Sequence, residues 1–403
     1  MFRRTAVLRT VLGAALTVPL AAVLAPAAPA TAGAAADAWD VPHSATITVR
    51  GHGYGHGKGL SQYGAQHAAK LGKSYRAIVG YYYPGTRWGT ATGSVRVWIS
   101  RDLSNDVQVQ ARSGLTARRT GTSRTWNLAK AQPRADRWRI VPDGDTASVL
   151  QFRRHGWHDY RRVTGRLELA AGGAPVRLYT AGGSVALRGV LRSVPSSPGN
   201  RITVNVLPLE SYLRGVVPAE TFASTWHQQA LRAQAVAART YAVHERADRV
   251  GKAFDLCDTA ACQEYGGASV EYPTTDAAVK ATARKVLTYG GQPAFTQFTA
   301  SSGGWTVDGG RPYLPAREDR WDSAQDPYHS WTVGFRDTEL EAAWPAVGDL
   351  TRIEIGGRDG HGQWGGRAGT VTLTGTSGTV TVSGSDFAQR LRLASPWLSL
   401  RVS

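Results

Sequence analysis

A run of small residues between Thr225 and Ala247 constrains this fold more than any other part of the chain. Alanines at 230, 233, 235, 237, 238 and 242 leave little side-chain bulk, so neighbouring backbone can come close. A helix of that kind suits a buried, tightly packed place and not a surface. Thr225, with Gln228 three residues on, reads as a capping box at its start. Just before it, LPLESYLRG predicts a shorter helix. Pro208 suits a first helical position, Glu210 in the first turn complements the helix dipole, and Gly215 ends the element.

Elsewhere the pattern alternates. A strand over Ala45–Val49 leads into GHGYGHGKGLSQYGA, and helices follow at Ser61–Leu71, stopped by Gly72, and at Ser74–Tyr83, stopped by Pro84. From Ser94 to about Val206 the chain reads as short β runs between turn residues: VRVWIS, VQVQA, RWRIV, LELA, VRLYT and RITVNV. A helix over Thr275–Arg284 precedes the strand VLTYG. The tail from Thr351 to Ser403 is β-rich again, with a helix near Asp386–Arg392. The expected class is α+β, with β-rich blocks packed around the small-residue helix and a β-rich central segment.

The first residues read as an export signal, with a basic start at Arg3, Arg4 and Arg9, an apolar stretch, and small residues for cleavage at Ala30-Thr31-Ala32. The competing reading is an uncleaved membrane anchor, which Pro19, Pro26 and Pro29 would interrupt. The formal charge is +17, or +14 once those three arginines are set aside. So basic a surface favours anionic partners or simply solubilises the protein. No dense basic run resembles a nucleic-acid arm, and for an exported protein acidic wall polymers and membrane surfaces are the nearer candidates. Cys257 and Cys262 are the only cysteines. In an exported chain such a close pair most simply forms a disulfide; a metal site would need further ligands, and no histidine lies nearby.

Among residues that could carry chemistry, Glu220 stands first. It follows Pro218 and Ala219 and precedes the apolar Phe222 at the junction of the two predicted helices. Partial enclosure there would raise its pKa and let it serve as a general acid near neutral pH. A solvated loop glutamate, or one capping the next helix, is the plainer alternative. Glu210 is the rival carboxylate, but its place in a first helical turn explains it without catalysis. His52 and His56 alternate with glycines that permit φ > 0 and close approach of a ligand or of other backbone. They read as a base, as metal ligands, or as ring nitrogens bonded to backbone within a tight loop. That loop is no phosphate loop, because Gly59 follows Lys58 where Ser or Thr is needed. Ser301-Ser302-Gly303-Gly304, after the apolar PAFTQFTA, reads as an ordinary turn or as a surface against which a sugar ring can lie. A serine nucleophile would need a base and an oxyanion hole that the sequence does not display.

With these residues in view, the chain resembles the SpoIID/LytB family, the stage II sporulation protein D group. The resemblance rests on LPLESYLRGVVPAE, ALRAQAVAARTY, CQEYGG, AVKATARKVLTY, SSGGWT, DPYHSW, YYYPGT and GHGYGHGKGLSQYGAQHAA. It implies a secreted, wall-associated lytic transglycosylase that cuts the MurNAc-β-1,4-GlcNAc bond of peptidoglycan, preferring strands stripped of stem peptides. The family's catalytic glutamate falls on Glu220. Ser301, Ser302, Gly303, His56, Gln62, Arg239, Gln234 and Tyr265 are the matching positions expected to line the substrate groove. Amidase enhancers share the family name, so a glycan-binding module serving a cell-wall amidase is the alternative. Some members are described as carrying zinc through one His and two Cys. Here Phe254 and Asp255 stand where the His would be, so no cofactor is expected and the Cys257–Cys262 disulfide stands.

The expected organisation is a signal over 1–32, a Gly/His-loop segment over 33–93, a β-rich segment over 94–205 and a SpoIID-like core over 206–403. In related chains the GHG segment comes after SSGG, and here the tail resembles the stretch that runs into it. The order therefore reads as a circular permutation, with Leu398–Val402 expected beside or in line with Thr46–Val49.

Overall fold

The computed structural model describes residues 37–403, and the expected signal lies outside them. Five helices matter for the site: α1 (Gln62–Lys70), α2 (Tyr75–Tyr82), α3 (Leu209–Glu220), α4 (Gln228–Asp248) and α5 (Pro273–Ala281). They combine with several sheets, so the class is mixed α+β. Among the described residues no helix is long and apolar enough to cross a membrane.

The small-residue helix α4 is buried along nearly its whole length because apolar material covers both of its sides. Ala235, Ala238, Ala242 and Val243 join a core shared by two sheets. One is seven-stranded and centred on the strands Ser94–Trp98, Asn200–Pro208 and Val190–Ser197. The other is six-stranded and built around Arg137–Asp143 and Val107–Gln110. On the opposite side Ala230, Ala233, Val236 and Ala237 pack with Ile78, Val79, Tyr82 and Tyr83 of the α2 region and Ala65, Ala68 and Ala69 of α1. Only side chains of alanine size let helices and sheet approach one element from two directions.

Two local expectations change. The capping box at Thr225 does not form: residues 222–226 make a turn, with Thr225 N–H donating to Phe222 O, and His227 caps α4 through its side chain. Gly215 does not end α3. The helix continues through Pro218 to Glu220. Glycine is needed at 215 for a different reason, since a Cβ there would lie 2.6 Å from the Tyr265 ring, against which α3 packs. Asp37–Asp40 forms a further strand, which pairs with Leu350–Gly356 at a sheet edge.

A third core lies between the four-stranded sheet that this edge strand completes and a three-stranded sheet, with Ile47, Val49, Leu398 and Leu400 among its members. In the latter sheet Thr46–Gly51 pairs antiparallel with Leu398–Val402, Ile47 opposite Val402 and Gly51 opposite Leu398.

Arg239 of α4 is fully buried and pins the helices together. Its guanidinium donates two hydrogen bonds to Glu210 of α3, at 3.0 and 2.8 Å, and others to Val279 O and Thr282 Oγ1 at the end of α5. Removing the partly exposed Glu210 would leave the buried Arg239 charge uncompensated. Glu210→Ala should therefore lower the free energy of unfolding by about 3 kcal/mol, measured by urea denaturation. An unchanged midpoint would mean that the pair carries no net stability.

Candidate active site

Glu220 is the last residue of α3, where the unsatisfied carbonyls of the helix end disfavour a negative charge. It opens into a cleft of about 600 Å³ lined by Tyr54, Gly55 and His56 on one side, Gln297–Ala300 on another, and Ala260–Cys262 with Glu264 on a third. Tyr241 and Gln62 complete the walls. The carboxyl group is half-buried: protein surrounds it, and the cleft mouth keeps it in contact with solvent.

That enclosure pushes the Glu220 pKa up to about 7, with removal from water the chief cause and the nearby Glu264 charge acting in the same direction. Two groups act against it. The Glu264 N–H donates to Oε1 at 2.7 Å, and Gln62 beside the carboxyl also favours the charged form. The Gln62 Nε2 atom is itself buried without a protein partner at full hydrogen-bonding geometry.

The glycines of the histidine loop do what their alternation predicts. Gly53, Gly55, Gly57 and Gly59 all have positive φ, and a Cβ at Gly59 would lie 2.0 Å from Gln297 O. The loop is stitched to the SSGG segment more than 240 positions away. Tyr54 and Ser301 exchange backbone hydrogen bonds of 3.0 and 3.1 Å, and Thr299 Oγ1 donates to Tyr54 O.

The two histidines have different surroundings. His52 is held by the loop's neighbours, with Nδ1 2.6 Å from His329 O and Nε2 2.7 Å from Gln363 Oε1, between Trp364 and Trp397. His56 lines the cleft. Its Nδ1 accepts from the Lys58 N–H, which leaves the proton of the neutral ring on Nε2. Crowding by protein, and the Lys58 and Arg367 charges, hold its pKa below the usual imidazole range. His56 therefore presents a neutral N–H donor and not a base.

Of the groove residues expected from the sequence, Glu220, His56 and Gln62 converge on the cleft. The others do not line it. Ser301 and Ser302 are fully buried beneath the loop, where Ser302 Oγ donates to Asp319 and the Ser301 hydroxyl accepts from Gly303 N–H. Gly303 lies directly under Gly53, whose nitrogen would be 2.4 Å from an added Cβ. Arg239 is spent on Glu210, and the buried Tyr265 hydroxyl donates to Asn205. Gln234 is buried within α4. These six residues support the walls and do not form their surface. Sequence reasoning missed Tyr54, Tyr241 and the Ala260–Glu264 loop; the CQEYGG run was the available signal for the last of these.

Cys257 and Cys262 form a disulfide, with Cα atoms 5.5 Å apart, that closes the loop just before Glu264, whose amide meets Glu220. With both thiols so engaged, and no cluster of three His, Cys, Asp or Glu side chains among the described residues, this region does not fit the zinc described for some relatives.

Residues 198–289, which include α3, Glu220, α4 and the disulfide loop, match the family model for the stage II sporulation protein SpoIID. This segment is what the chain shares with the SpoIID/LytB family. The chain is 38% identical over 135 residues to the amidase enhancer of Bacillus subtilis, a match covering 32% of this chain and 17% of that protein. It is 46% identical over 56 residues to the stage II sporulation protein D of the same organism, or 14% of this chain and 16% of the relative. The chain thus spans about a sixth of the length of each of these two relatives. No solved structure matches it. The matched segment and the relatives' names support a cell-wall-related role.

A carboxyl with a raised native pKa opposes folding once it ionises: its contribution is intact below its unfolded pKa and is lost as pH rises through about 7. Glu220→Gln should therefore raise stability relative to the parent at pH 8, by about 1–3 kcal/mol, and leave it nearly unchanged at pH 4. Thermal melts at the two values check this, and an equal effect at both would show that Glu220 is not held protonated.

Proposed function

We propose that this protein is a secreted lytic transglycosylase acting on peptidoglycan strands freed of stem peptides, with Glu220 as its single acid and base. The observation that carries this reading is one carboxyl, raised to about 7, in a cleft with no second carboxylate placed for a nucleophile. Glu264, the other acid of the lining, points its side chain back to accept from Ala260 N–H.

An ordinary glycosidase divides its work between two carboxyl groups. One group suffices when the substrate supplies its own nucleophile. Glu220 gives its proton to the glycosidic oxygen as the bond from C1 of MurNAc to O4 of GlcNAc breaks. The resulting carboxylate then takes the proton of the MurNAc C6 hydroxyl, whose oxygen closes on C1. The products are a free GlcNAc 4-hydroxyl and a 1,6-anhydroMurNAc end, and Glu220 is again protonated. With Oε1 held by the Glu264 N–H, Oε2 is the oxygen that carries the proton, and that same N–H stabilises the carboxylate between the two transfers. His56, neutral with its proton on Nε2, serves as a hydrogen-bond donor to the sugar.

The amidase enhancer among the relatives supports a second reading, a glycan-binding protein that presents strands to an amidase without cutting them. Glu220→Gln separates the two. An enzyme should lose at least about a hundredfold in rate, read by mass spectrometry of anhydro-ended fragments, while strand binding persists; unchanged product release would remove Glu220 from the chemistry. For the parent, the rate should fall by up to about tenfold per pH unit above about 7, as the acid form is lost.

The order of segments is read as a circular permutation of the relatives' arrangement, supported by the antiparallel pairing of Leu398–Val402 with Thr46–Gly51. A chain with residues 94–403 first and 37–93 attached behind through a flexible linker should fold and cut as the parent does. Failure of that chain to fold would remove the permutation.

A further inference from the structure

The basic charge of this protein is concentrated in its central β segment. Residues 94–205 hold nineteen Arg and Lys against seven carboxylates, a net +12 of the chain's +17. Nearly all of this segment lies outside the family match. Its six-stranded sheet turns one face to the shared core through Trp138, Ile140, Val107, Val109 and Leu178. Strand alternation puts Arg137, Arg139, Gln108, Gln151, Arg153 and Tyr179 on the other face. Two guanidinium groups there stack on aromatic rings: Arg139 over Trp157 at 4.1 Å, and Arg137 over Tyr179 at 3.9 Å. Arg139 is also paired with Asp106 and Arg153 with Asp136, whereas Arg137 and the exposed Arg177 have no carboxylate partner among the described residues. Stacking fixes the planar forks without consuming their donors.

This face connects to the Glu220 cleft. A hollow of about 450 Å³ containing Arg137, Tyr179 and Gln108 shares Leu103, Thr180 and Ala181 with a second hollow of about 420 Å³. That second hollow reaches Thr259 and Glu264 of the disulfide loop, and Glu264 also lines the cleft. The three hollows thus adjoin one another through shared walls, between the acid and an arginine- and aromatic-bearing sheet about 24 Å across, six strands at the usual spacing.

Resting on the glycan reading of the cleft, we propose that this sheet face is a second binding site for the same strand and reads the carboxylates exposed when stem peptides are removed. In a complete strand the lactyl carboxyl of each MurNAc is tied up as an amide to the peptide. Hydrolysis of that amide leaves one free carboxylate per disaccharide, so the stripped strand becomes a regular polyanion made of sugar rings. Arginine forks bind carboxylates in a bidentate manner, and the Tyr179 and Trp157 rings provide the apolar platforms that sugar faces use. Preference for stripped strands then comes from attraction to a charge that the intact strand lacks, beyond any steric exclusion of peptide.

The test uses the full chain carrying Glu220→Gln, so that polymer stays intact while binding to purified strands is measured. Peptide-stripped strands should bind with an affinity that falls as salt rises. Replacing Arg137 and Tyr179 together with Ala should weaken binding at least about tenfold, the loss expected for one charge-assisted contact and one stacking platform. Arg137→Lys should give an intermediate loss. Converting the strand carboxylates to methylamides should weaken binding to the parent face by a similar factor, and combining both changes should cost little more than either alone. Arg177→Glu, exposed on the same face, should weaken binding if the double variant melts abnormally. The proposal is overturned if methylamidated strands bind as tightly as untreated ones, if the two losses multiply, or if a polyol-phosphate polymer is the tighter ligand of this face. Because no turnover is involved, such a result leaves the cleavage assay of Glu220 untouched. Absence of strand binding by either protein would overturn both readings.

Discussion

Arg239 is a fully buried guanidinium shared between the first turn of one helix, the middle of another and the end of a third, and the acid of the cleft depends on it indirectly. Its pairing with Glu210 anchors the N-terminal turn of α3, and Glu220 sits at the opposite end of that helix. A charge buried so deeply is tolerated only because Glu210 and several oxygen acceptors surround it. The alanines around it on α4 make room for this, since bulkier side chains would hold α3 and α5 too far away for a single guanidinium to reach both.

From that anchored helix the cleft is assembled by three segments remote in sequence. The histidine loop brings His56 and Tyr54, α1 brings Gln62, and the disulfide loop brings the Glu264 amide. Each is held by backbone contacts that glycine permits or by a covalent closure, so the acid meets groups of defined position. The mixed effect on Glu220 follows: enclosure raises its pKa, while one donor holds Oε1 and favours the charged form. A donor that stays on the carboxyl in both forms is compatible with the acid–base role proposed for it.

The central β segment adds a different kind of order. Its inner face closes the core beneath α4, and its outer face gathers guanidinium groups stacked on rings. A single sheet thus supports α4 on one side and presents guanidinium groups stacked on rings on the other.

Much of this was legible in the chain. Alanine spacing identified the buried helix, glycine alternation identified a loop with positive φ, and hydrophobic alternation identified the β blocks, because each is a local steric property. Glu220 was also legible as a candidate, though its position at a helix end was not. Gly215 read as a stop, and only its contact with Tyr265 shows that it serves close packing instead. The roles of Ser301, Ser302, Gln234, Arg239 and Tyr265 could not be read locally either, since burial depends on what the rest of the chain places above a residue. So the sequence by itself determined most of the elements and singled out Glu220 as the candidate acid. Tertiary structure decided which polar groups face the cleft, how far the acid's pKa rises, and which face of the basic sheet stays open. Those three quantities depend on desolvation and long-range contact, which no short stretch of sequence contains.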